Sequence, residues 1–223
     1  IFKKSFYDYH DNFSAKQKER SLAQLRQSLT TIKYKNNYLD GLAKADFIFT
    51  PSSWFRYPAN KKLMAYKLWS WYNLLLEFFP GTIIGVTGTA GKGTVTNLIY
   101  QILLVLQSSK SEKGKAKKRK VFLIGDSWHS RDLNKIIKAG KQSIVVAEVN
   151  NRVLTFAKNS KKSPKICVLT NILQHHLDDH GNSFSQYKKI KLELAKYQKK
   201  GDSLLINADD PELIRMTWPA NVK

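Results

Sequence analysis

The sequence predicts an α/β fold, a mostly parallel β-sheet flanked by helices, with a partial N-terminal segment ahead of it. Three observations carry this. Short, almost wholly apolar runs recur from about residue 62 onward, amphipathic stretches separate them, and a glycine-rich turn joins the first run to the stretch after it. Strands that are apolar throughout are covered on both faces, and strands alternating with helices build parallel sheets.

The elements follow in order. Residues 1–45 are polar and rich in Lys and Gln, with a helix expected over about 14–28. The run from Ala45 through Ile48 and Phe49 reads as a short buried strand stopped by Pro51. Residues 61–79 read as an aromatic-rich amphipathic helix ended by Pro80-Gly81. Strands are expected at 82–87, 121–125, 143–149, 165–170 and 203–207, and helices at 94–106, 132–139, 152–159 and 184–199. In the first of these helices Val95, Leu98, Ile99, Ile102 and Leu106 share one face. No internal repeat is visible, and the chain divides into a segment with its linker, 1–61, and a domain, 62–223.

Composition narrows the function classes. With 42% hydrophobic and 12% aromatic residues, the 223-residue chain is not wholesale disordered. Its one cysteine, Cys167, lies in an apolar run and offers neither a disulfide framework nor a zinc cluster. Ile1-Phe2-Lys3-Lys4 leads into no apolar signal segment, and the most apolar stretch, 68–80, is too short and too polar to span a bilayer. A cytoplasmic monomer with no membrane partner is expected. The net charge of +21 attracts polyanions in general. Residues 110–120 hold seven cations and one Glu among Ser, Gly and Ala. Without interleaved aromatics, that run reads as a solvated loop rather than a specific nucleic-acid reader.

The turn after the first strand is Gly88-Thr89-Ala90-Gly91-Lys92-Gly93-Thr94. Glycines let backbone N–H groups converge on phosphate oxygens, the helix N-terminus adds its dipole, and Lys92 adds a point charge. The common G-x-x-x-x-G-K-[ST] spacing is not met, because Val86 takes the first glycine position and Gly93 follows the lysine. A tight strand-to-helix turn with an incidental lysine is the alternative.

Three further features lie downstream. Glu148 ends an apolar strand, where a desolvated carboxylate needs a cation; the alternative is a carboxylate emerging into water. The stretch from Thr170 and Asn171 to Gly181 holds His175, His176, Asp178, Asp179 and His180, a metal or acid–base set or a polar surface loop. Such loops, beyond the carboxyl ends of strands, line the ligand crevice of doubly wound sheets. In the helix 184–199, Phe184, Tyr187, Lys191 and Leu194 share a face. Lys191 is thus on the apolar side, either buried with a lowered pKa or snorkelling to the edge.

Thr87 to Thr94 resembles the variant phosphate loop G-T-x-G-K-x-[ST] of the Mur ligase and folylpolyglutamate synthase superfamily. Asn171–Gly181 is similar to its N-x-x-x-D-H-x-D segment, with His175 where Asp is usual, and Gln186-Tyr187-Lys188-Lys189-Ile190-Lys191 reproduces its Q-Y-x-x-x-K. With Glu148 and Asn207-Ala208-Asp209-Asp210, these stand in family order over about residues 45–212. The resemblance implies a P-loop NTPase-like central domain that binds ATP and Mg²⁺. Gly88 to Thr94 and Asn171 would hold the nucleotide; Thr94, Glu148, His176 and a carbamylated Lys191 would hold magnesium; Lys92, His176 and Lys191 would be catalytic. It further implies an amide ligase of peptidoglycan precursor synthesis. ATP would phosphorylate a carboxylate acceptor and an amino acid would attack the acyl phosphate, with UDP-N-acetylmuramoyl-L-alanine and D-glutamate as the best-matching pair.

The match departs from the D-glutamate-adding branch at Val149-Asn150-Asn151-Arg152, at Asp126-Ser127-Trp128-His129 and at Ser52-Ser53-Trp54, all in regions that hold the acceptor or join domains. Another acceptor, or an ATP-binding protein without ligase activity, is the alternative these departures leave. The family continues past Asp210 into a domain that binds the amino acid, so these 223 residues alone are expected to bind ATP without efficient ligation.

Overall fold

The computed structural model describes residues 5–6, 31–32, 41–45, 48–50, 67–109, 119–125, 133–174 and 183–218. The chain divides into two compact units, Ile1–Ile48 and Phe49–Lys223. In the first, β1 (Ser5–Phe6) pairs in parallel with β2 (Thr31–Ile32), and a 3₁₀ turn spans Leu42–Lys44. The helix expected over 14–28 lies outside the described residues. β3 (Ile48–Phe49) falls at the boundary between the units.

In the second unit the helix expected over 61–79 is shorter. Residues 51–66 lie outside the description, Leu68–Trp69 forms β4, and α1 covers only Trp71–Phe78. The cause is Ser70: the Asn73 side-chain oxygen accepts from both its N–H and its hydroxyl at 3.0 Å, which fixes an N-terminus there. Asn73 then donates to Phe156 O at 2.8 Å and to Ser160 Oγ at 2.9 Å, locking α1 onto the helix beneath it.

The expected parallel sheet is present. Its strands are β5 (Thr82–Thr87), β6 (Val121–Ile124), β7 (Ile144–Glu148), β8 (Ile166–Leu169) and β9 (Ser203–Ile206), ordered β6-β7-β5-β8-β9. All four pairings are parallel. Between them run α2 (Lys92–Ser109), α3 (Leu133–Ile137), α4 (Asn151–Ala157) and α5 (Phe184–Leu192), with α6 (Pro211–Arg215) after the last strand.

Strand alternation sorts the core into two layers. Ile83, Ile124, Val145, Ala147, Cys167 and Leu169 face α1, α3, α4, α5 and α6, packing with Tyr72, Leu75, Ile136, Leu154, Tyr187 and Leu213. Ile84, Val86 and Val146 face α2. Here the expected stripe on α2 needs correction. Val95 and Ile99 do pack on the sheet, joined by Tyr100 and Leu103, whereas Leu98, Ile102 and Leu106 are about half exposed. Apolar residues run round more than one side of this helix, so periodicity alone offered two stripes, and the sheet takes the one through 95, 99 and 103.

The switch point of this sheet lies beside β5, which is flanked by β7 and β8: from β5 the chain crosses towards β6 at one edge, and from β8 towards β9 at the other. Loops at the carboxyl ends of these three strands converge there. No helix among the described residues is long and apolar enough to cross a membrane.

Candidate functional site

Backbone bonds continue the sheet past its strand ends and set the site. Val149 N donates to Val86 O at 2.8 Å, Thr170 N to Thr87 O at 3.0 Å, and Thr89 N to Asn171 O at 2.9 Å. The glycine-rich turn is therefore flanked by the ends of β7 and β8. Gly88 has φ +154°, and a Cβ there would stand 2.0 Å from the Thr170 hydroxyl, so only glycine fits.

Asn171 shapes the turn. Its side-chain oxygen accepts from Thr89 N at 3.1 Å and Ala90 N at 2.9 Å, and its amide donates to Ala90 O at 3.2 Å. Thr170 Oγ1 donates to the same Ala90 carbonyl at 2.7 Å. Asn171 thus occupies loop N–H groups in the way an anion would. Lys92, in the first turn of α2, folds its ammonium back to Thr89 O at 2.9 Å. Gly91 is left-handed at φ +74° and opens onto free space. Thr94 is exposed.

Lys191 is where its periodicity put it. Tyr187, Lys191 and Leu194 are all buried, while Lys189 and Lys196 on other faces are exposed. The Lys191 side chain is only 1% exposed, and its ammonium donates to Gly88 O at 2.9 Å and Thr87 Oγ1 at 3.3 Å. It also lies 5.2 Å from the centre of the Tyr187 ring. Burial, reinforced by the nearby charge of Lys92, lowers its pKa from 10.5 to about 7. The snorkelling alternative is excluded by this burial.

Glu148 is buried at 7% exposure, so the reading of a carboxylate emerging into water is also excluded. Among the described residues its Oε2 has no hydrogen-bond partner. That oxygen points at the start of α2, since a Cβ built on Gly93 would stand 3.4 Å from it. An unpartnered buried carboxylate oxygen beside a glycine-rich loop is an environment a divalent cation fits. His176, with His175, Asp178, Asp179 and His180, lies outside the described residues. Among the described residues no group of three or more His, Cys, Asp and Glu side chains gathers for a metal. A hard cation that keeps waters and substrate phosphates as ligands does not require one.

Four participants lie outside the expected site residues, although Tyr187 and Asp210 stand in the family-like motifs. Tyr187 OH lies 2.9 Å from Thr89 Oγ1, which in turn accepts from Leu173 N at 2.9 Å. Thr87 and Thr170 brace the loop from the strand ends, and Asp210 braces its partner loop. Tyr187 is legible, standing one helical turn before Lys191 on the same face. The threonines carry no local signal, because their role depends on strand register.

A glycine-rich loop at the switch point of a parallel sheet, with a buried amine and a buried carboxylate on either side, defines a parallel α/β domain whose candidate site lies at its strand ends. Residues 86–223 match the model of the Mur ligase middle domain, and the chain belongs to that family.

Among curated relatives, the UDP-N-acetylmuramoylalanine--D-glutamate ligase of Clostridium tetani is 29% identical across 86% of this chain and 39% of its own length. The ligase of the same name from Acetivibrio thermocellus is 33% identical across 80% and 36%. The chain thus spans well under half the length of these relatives. Among solved structures, a MurF ligase from Thermotoga maritima in complex with ADP aligns with a TM-score of 0.51 at 21% identity, covering 96% of this chain and 45% of its own. A UDP-N-acetylmuramoyl-L-alanyl-D-glutamate--2,6-diaminopimelate ligase aligns at 0.52 and 18% identity, covering 100% and 45%. At these identities the structural likeness is one of fold.

Proposed function

We propose that this chain forms the ATP-binding centre of a cytoplasmic, ATP-dependent acid–amino-acid ligase of peptidoglycan precursor synthesis. The reaction adds D-glutamate to UDP-N-acetylmuramoyl-L-alanine through an acyl phosphate. One observation carries the reading: Lys92, Glu148, Asn171 and Lys191, drawn from four separate elements, meet around one glycine-rich loop at the sheet's switch point. The names of the curated relatives support the substrate pair.

The residues have distinct roles in this scheme. Arriving phosphates take the loop N–H groups and the N-terminal end of α2, and Lys92 swings from Thr89 O to the outer phosphate. Glu148 and Lys191 would hold magnesium, which offsets charge on the transferred phosphoryl group when bound. Lys191 suits carbamylation. Its pKa near 7 leaves about half of the amine neutral at pH 7, against a few ten-thousandths for an ordinary lysine. The neutral nitrogen adds to CO₂, forming an N–C bond and releasing one proton to solvent. The product is an anion where a cation had been.

The test uses the full protein that carries this chain. ADP release should require both UDP-N-acetylmuramoyl-L-alanine and D-glutamate, and Lys92→Ala should lower turnover at least a hundredfold, about 2.7 kcal/mol or more. Release driven by a folate acceptor would move the chain to the synthase branch, and unchanged nucleotide affinity and turnover in Lys92→Ala would sink the phosphate-loop assignment. Gly93, standing where the common loop has a hydroxyl, favours a second reading: ATP binding without ligation. Tight ATP binding with no turnover on any acceptor would establish that one.

A further inference from the structure

Gly93 and Glu148 face each other across the start of α2, and their geometry says what a hydroxyl at position 93 would do. Adjacent ligands of an octahedral Mg²⁺ at about 2.1 Å lie about 3 Å apart. A Cβ on Gly93 would be 3.4 Å from Glu148 Oε2 and 3.8 Å from Oε1. A serine hydroxyl, one bond beyond that Cβ, therefore reaches about 3 Å from Oε2, the separation two neighbouring cation ligands need. The glycine supplies no such oxygen, yet Oε2 remains buried and without a partner among the described residues. Thr94 is no substitute from its place in the helix. Successive helical residues do not share a face, and Thr94 is exposed while the Glu148 carboxylate is buried.

We infer that Gly93 is a tuning position of the cation site, leaving Glu148 as the sole phosphate-loop-side protein ligand and a water in place of the missing hydroxyl. The inference rests on the ATP–magnesium reading above and adds its consequence. Nucleotide affinity of this protein responds weakly to magnesium, and a single hydroxyl restores the response. Gly93→Ala adds the Cβ alone, into ordinary van der Waals distance of the carboxylate, so it separates the oxygen from the added bulk.

The experiment is calorimetric titration of ATP into the full protein over a series of Mg²⁺ concentrations, for the natural chain, Gly93→Ser, Gly93→Ala and Thr94→Ala, with circular dichroism to confirm folding. Gly93→Ser should lower the Mg²⁺ concentration giving half-maximal enhancement of ATP affinity about tenfold, and Gly93→Ala should not lower it. Equal behaviour of Gly93→Ser and Gly93→Ala, or a tenfold loss in Thr94→Ala, overturns the inference and leaves the ATP site standing. ATP affinity indifferent to Mg²⁺ in every variant overturns the inference together with the magnesium reading beneath it.

Discussion

At Lys191 a charge and a burial compete, and the sign of the outcome can be measured. The folded amine titrates near 7, whereas the unfolded one titrates near 10.5. Between those values the unfolded chain binds more protons, so stability rises with pH across that window and the full penalty is present below it. At about 1.4 kcal/mol per pKa unit, the effect amounts to several kcal/mol. In CO₂-free buffer, Lys191→Met should melt higher than the natural chain at pH 6.5, and the gap should close as pH rises towards 10. Thermal melts across that range check this; a constant gap would mean the amine stays charged in the folded protein. Added bicarbonate should raise the natural chain's melting temperature and leave Lys191→Met unmoved.

Elements meet the site through buried caps. Asp210 is 5% exposed; one carboxylate oxygen accepts from Glu212 N and Leu213 N at 2.9 Å, starting α6, and the other accepts from Ile172 N at 2.8 Å. One side chain thus fastens a helix to the loop that carries Asn171. Asp210→Ala should cost about 2–3 kcal/mol in denaturant unfolding, a lost cap plus an unpartnered buried N–H. It should also weaken ATP several-fold through the loosened Asn171; full stability in the variant would refute the capping role. The strands were legible because the central ones, β5 and β7 above all, are buried on both faces and so are almost wholly apolar. Even the edge strand β9, with Leu205 half exposed, keeps an apolar run. Lys191 was legible because a cation on an apolar helical face breaks pattern. The helix ending at Pro80 was placed too early, because aromatics suit either element and the Ser70–Asn73 stop is made of side-chain bonds. The sheet-facing side of α2 was hidden by apolar residues on both sides. The bracing by Thr87, Thr170 and Asp210 depends on contacts between residues distant in sequence, which no local pattern encodes.

For the whole molecule the +21 charge is a long-range property with no local home in the site. It should produce binding to heparin or any DNA that falls steeply with salt and ignores sequence, read by retention on a polyanion column from 50 mM to 500 mM salt. Retention that persists in high salt, or one preferred sequence, would require a dedicated surface. Cys167 leads elsewhere. It lies between Gly85 of β5 and Leu204 of β9, fully buried, its thiol directed at Pro164 O and Leu194 O, with burial pushing its pKa up. Because these 223 residues hold no other cysteine, they carry on their own a built-in clock for the opening of this sheet. A thiol reagent can react only when the central sheet parts, so the labelling rate counts those excursions. Saturating ATP at a hundred times its dissociation constant should slow that clock by about a hundredfold, equivalent to about 2.7 kcal/mol.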